Sequence, residues 1–75
     1  MNIVIRSALK KEEIKQLLHN QTIDGIHYIH KETKGADIIF EADTTNTEHA
    51  ISSAKKTVRS APFGAAILFS VAAAK

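Results

Sequence analysis

The sequence predicts an α+β domain with the element order βαββαβ, and three observations predict it. Two segments carry apolar residues at helical spacing, short β-branched or alternating runs precede and follow them, and glycine, asparagine and proline turn signals separate the pieces. With 75 residues, 44% of them hydrophobic, there is room for one domain, and a chain this short buries only about 60% of its unfolded surface.

The first run, Ile3-Val4-Ile5, is short and β-branched and reads as a strand. From Lys10 the period changes. Leu9, Ile14, Leu17 and Leu18 gather on one side of a helical wheel and Lys11, Glu12, Lys15 and Gln16 on the other, which gives an amphipathic helix of about three turns. Glu12 and Glu13 sit in its first turn, where the helix dipole favours acid, and Asn20 suits a left-handed stop. Asp24-Gly25 marks the opening of a second strand over residues 26–32, Thr33-Lys34-Gly35 a hairpin loop, and residues 36–42 a third strand. Thr45-Asn46-Thr47-Glu48 matches a capping box with Thr45 as N-cap, so the second helix begins near Asn46. Its apolar stripe is Ala50, Ile51, Ala54 and Val58, its solvated side Lys55, Lys56 and Arg59, and Pro62 ends it. Residues 65–71 read as the fourth strand. This order is the ferredoxin-like pattern, a four-stranded antiparallel sheet of order 4-1-3-2 with both helices on one face.

Composition narrows the function classes. The absence of cysteine rules out a disulfide framework and thiolate metal clusters, and points to the cytoplasm. The apolar run before Arg6 is too short for a secretory leader, and the uncharged residues 62–74 fall short of the roughly 20 residues of a membrane span. The formal charge is +2, with its ten Lys and Arg spread along the chain, so no phosphate-binding stripe is expected.

The stretch DGIHYIHKETKGADIIFEAD followed by TEHAISSAKK resembles the heavy-metal-associated domain of copper chaperones and metal-pumping ATPases. The likeness runs over residues 23–58. It consists of an Asp-Gly-aliphatic step after helix one, a glycine-containing hairpin and an acidic strand end before helix two. The resemblance implies the ferredoxin-like fold. That family's ligands are a Cys-x-x-Cys pair in the loop after strand one, and here the loop reads Arg6-Ser7-Ala8-Leu9-Lys10. Copper binding therefore does not carry over, because Cu(I) needs thiolates or thioethers and the single methionine is Met1.

The four histidines pose the same question for harder metals. On a strand, His27 and His30 point to opposite faces and lie about 10 Å apart, so they cannot share an ion. His19 and His49 would meet them only if the helix ends converged. The expected role of His27, His30 and Lys31 is to keep an edge strand from pairing with strangers. No metal site and no cofactor are expected.

Lys34-Gly35 begins like the RNP1 stripe of RNA-recognition motifs, but Ala36 and Ile38 stand where base-stacking rings would sit. Asp37 and Glu41 share the open face with Ile39, and carboxylates there repel phosphate. For catalysis, Ser7, Ser52, Ser53, Ser60 and Ser70 offer hydroxyls and the histidines offer bases, yet none forms a motif. Asp37 and Glu41 are about 13 Å apart along a strand, too far to flank one scissile bond. The three glycines are accounted for by turns. No enzyme activity is expected.

The remaining signal is surface. Val4, Ile39 and Leu68 should cluster at the centre of the open sheet face within a polar rim that includes Arg6, Asp37, Glu41 and Ser70, the layout of an interface. The fourth strand lies in the uncharged residues 62–74 and occupies a sheet edge, with Lys75 as its one guard. The expected function is a small interaction or regulatory module that self-associates. Nucleic-acid binding is the second reading and a histidine-based metal carrier the third.

Overall fold

Alternation along the first strand decides which side of the sheet becomes the core. In the computed structural model, whose described residues are 1–74, β1 (Asn2–Arg6) buries Ile3 and Ile5 and leaves Asn2, Val4 and Arg6 on the opposite side. It is followed by α1 (Lys11–Leu18), β2 (Gln21–Ile23), β3 (Ile26–Lys34), β4 (Asp37–Ala42), α2 (Thr47–Ser60), a 3₁₀ turn (Gly64–Ala66) and β5 (Ser70–Ala74). Lys75 lies outside the described residues. The buried face of the sheet and both helices contribute to one cluster, in which Ile3, Ile5, Ile14, Leu18, Tyr28, Ile38, Phe40 and Val58 are fully enclosed.

The sheet is antiparallel and has five strands in the order β2-β3-β4-β1-β5. This corrects the expected count of four strands: the four expected strands keep the 4-1-3-2 arrangement, as β5-β1-β4-β3, and the order of the whole sheet differs because β2 is added beyond β3. The extra strand, β2, forms because Asp24 and Gly25 adopt φ 53 and φ 80, the double left-handed geometry of a two-residue hairpin for which Asp-Gly is well suited. Asp24-Gly25 thus closes a hairpin between β2 and β3 instead of merely opening a strand.

The fourth expected strand, residues 65–71, is also corrected. Its first part is the 3₁₀ turn, and pairing with β1 begins at Ser70, opposite Arg6. A Cβ on Gly64 would overlap the Val58 and Arg59 carbonyls, so the chain can fold back against the end of α2 only because this residue has no side chain. Phe63, Ile67 and Phe69 pack on the core from this connection rather than from a strand.

Both helices differ in how they are started. α1 follows Lys10, which adopts φ 60, and Leu9 is 61% exposed, off the apolar stripe assigned to it. At α2 the N-cap is Asn46, whose Oδ1 accepts from the His49 amide at 3.0 Å. The Thr45 capping box does not form. β4 leaves β3 by a two-residue turn at Gly35, φ 58, the position at which a type II′ hairpin places glycine. Within β3, the register slips by one residue between His30 and Glu32, a bulge with Lys31 as the extra residue.

Candidate interaction surface

Register sets out the open face as rows of side chains. Val4 faces Ile39 of β4 on one side and Ala72 of β5 on the other. Arg6 is likewise flanked by Asp37 and Ser70, and Asn2 by Glu41 and Ala74. Val4 and Ile39 are half-buried, and they form the apolar centre that the alternation predicts. Leu68 does not join them. It lies two residues ahead of β5, 95% exposed, and the position opposite Val4 is Ala72.

The rim is charged but locally neutral. Arg6 grips Asp37 with two bonds, Nε to Oδ1 at 2.7 Å and Nη2 to Oδ2 at 3.2 Å. That fork holds the Asp37 carboxyl below its usual range, through the hydrogen bonds first, and raises Arg6 correspondingly. Lys31 pairs with Glu41 at 3.5 Å and Lys34 with Glu32 at 3.2 Å. Exposed pairs of this kind add little stability; their effect is that the charges of Arg6, Asp37, Lys31 and Glu41 around Val4 and Ile39 are paired off. At the end of the sheet, β5 offers an edge without any charged side chain.

The histidines take three different positions. His27 bonds Thr22 through Nδ1 at 2.9 Å and Asn20 through Nε2 at 3.1 Å, on the side away from the core. His30 turns inward, its ring edge-on to Phe40 with centroids 5.7 Å apart. His19 does meet it, contrary to expectation: the rings lie 6.4 Å apart and the His30 amide donates to His19 Nδ1 at 3.1 Å. Burial is the main reason that the His30 pKa is lowered, followed by the nearby Lys15 and His19. Among the described residues, no three His, Cys, Asp or Glu side chains gather as metal ligands would.

Serine, acid and histidine also come together at the β2–β3 turn. Ser53, buried, donates to Asp24 Oδ2 at 2.9 Å, and His49 Nε2 meets the Asp24 carbonyl at 3.3 Å. The serine is thus bonded to the acid and the imidazole to the main chain, so the group ties α2 to the turn. Tyr28 strengthens the same joint by donating to the Ala50 carbonyl at 2.9 Å, and burial raises its pKa.

Next to this joint is an open cleft of about 470 Å³. Leu17, Ile23, Ala61 and Pro62 form its apolar walls. Asp24, Lys56, Thr57 and Ser60 form its polar edge. Sequence reasoning missed it, because its residues come from α1, the β2–β3 turn and the end of α2, which only the fold brings together. Among the described residues, no helix is long and apolar enough to cross a membrane. No protein-family model, curated protein or solved structure matches the chain.

Proposed function

We propose that the chain is a small non-enzymatic interaction module of ferredoxin-like fold that associates with a second copy of itself along β5. The observation that carries the reading is an uncharged edge strand beside an exposed leucine, Leu68. Edge strands ordinarily carry lysine, proline or a bulge that discourages pairing. β5 has none of these in Ser70–Ala74, and its small side chains present no steric obstacle to a neighbour. The fold reading is supported by the neighbours of β1, which lies between β4 and β5, and by two helices packed on one face, with β2 as an addition at the far edge.

A two-fold axis beside β5 would set the two strands antiparallel, so that each copy gives the other the same patch. The Val4, Ile39 and Ala72 rows of both copies would then lie on one continuous face, flanked by Arg6 and Ser70. Sedimentation equilibrium tests the reading. The wild-type chain should be dimeric at micromolar concentrations, and Leu68→Lys and Ala72→Lys should be monomeric with unchanged circular dichroism. Neither side chain is in the core, so the fold should survive both changes. A wild-type chain that remains monomeric at millimolar concentration would overturn the proposal.

A further inference from the structure

We propose that the cleft between α1, the β2–β3 turn and the end of α2 is a docking site for an acidic peptide segment with an apolar anchor residue, presented by another protein. This does not depend on the β5 reading, since the cleft lies by the opposite edge of the sheet.

The distribution of cations points to it. Arg6, Lys10, Lys15, Lys31 and Lys34 each pair with a carboxylate, and Lys11 donates to the Gly35 carbonyl. Lys55, Lys56 and Arg59 are exposed and have no ion-pair partner among the described residues. All three lie within two turns of α2. At about 100° per residue they span an arc of roughly 100°, running outward from Lys56 at the cleft edge through Arg59 to Lys55. Lys56 thus lines the cleft, and Arg59 and Lys55 continue a run of positive charge outward from it along α2.

The acid at the cleft edge, Asp24, offsets only one of the three, so the balance on this side stays positive; its carboxylate also accepts from Ser53 and its carbonyl meets His49. Ser60, by contrast, has a hydroxyl without a partner among the described residues, free to meet a ligand. Leu17 and Ile23 remain half-buried, apolar surface that an aliphatic anchor would cover, and a volume of about 470 Å³ accommodates one or two side chains. A carboxylate next to that anchor would find Lys56, with Arg59 and Lys55 beyond it.

The cleft chemistry favours peptide over nucleic acid. No aromatic side chain lines it, so bases would have nothing to stack on.

The test is a titration of the isotope-labelled full chain with a short synthetic peptide alternating leucine and glutamate, followed by NMR. Saturable shifts should centre on Leu17, Ile23, Lys56 and Ser60. Affinity should fall about tenfold in Lys56→Glu and further when Lys55→Glu and Arg59→Glu are added, all at exposed positions where the amide spectrum should otherwise be retained. An all-glutamate peptide should bind at least about tenfold more weakly. Equal binding of the all-glutamate peptide, no saturable binding of the alternating one, or tighter binding of a single-stranded oligonucleotide at the same amides would each overturn the proposal.

Discussion

Asn46 holds the start of α2 by a single side-chain bond, from the His49 amide to its Oδ1 at 3.0 Å. Its own amide donates to Thr44 Oγ1 at 3.1 Å, which steadies the approach to the helix. Asn46→Ala should therefore lower stability by about 1 kcal/mol, the usual effect of losing an N-cap. Thr45→Ala should leave the urea midpoint unchanged, because Thr45 is exposed and makes no capping bond. Comparing the two midpoints at constant m-value checks both outcomes. The helix itself was legible in the stripe of Ala50, Ile51, Ala54 and Val58. Its N-cap was not, because Thr44, Thr45, Asn46 and Thr47 are all cap formers and the competition among them is settled by the path of the incoming chain. Val4 and Ile39 were legible for a similar reason of period: alternation alone puts them on the open face. Leu68 was not, because it needed the correct register of β5.

At the scale of elements, the joint between α1 and β3 depends on an uncharged imidazole. His30 packs against Phe40 and its amide is held by His19 Nδ1. Burial, Lys15 and His19 lower its pKa, whereas Glu12 and the main chain at Glu32 act in the opposite direction. The folded state thus favours neutral His30. Its contribution to stability is complete above the unfolded value of 6.5 and is lost as pH falls through the lower folded value. The urea midpoint of the wild-type chain should fall between about pH 7 and about pH 5, and more steeply than that of His30→Gln. Equal slopes would show that the joint is indifferent to charge.

The missed elements have physical reasons too. β2 is three residues long, Gln21–Ile23, too short for a period of two to show. Its signal was the turn, since Asp-Gly favours a two-residue hairpin and so asks for a strand on both sides. In the run before β5, apolar residues follow one another without polar alternation, and such a run does not distinguish strand from turn. There the deciding contact is long-range: Gly64 against the end of α2.

For the molecule as a whole, self-association and stability are linked. If only the folded chain dimerises, its unfolding midpoint must rise with protein concentration. Calorimetry over about a hundredfold range of concentration should show that rise in the wild type and a flat response in Leu68→Lys. The cleft should be unaffected by the same substitution, because it draws on α1, the β2–β3 turn and the end of α2. The general α+β architecture was legible from local pattern. The cleft was legible only once the chain was folded, as it has no motif in any one segment.

The bulge at Lys31 makes β3 one residue longer than its partner requires. Counting along the strand, 26, 28 and 30 face inward while 33 does so after the slip, opposite Ile38. Removing Lys31 would restore a simple odd–even count with every other side chain still on its present face. Removing Glu32 would do the same with Lys31 left opposite Ile39, whereas removing a residue outside this pair would break the count. Lys31 and Glu32 thus share the spare link of the strand, the place where chain length can change without turning the sheet inside out.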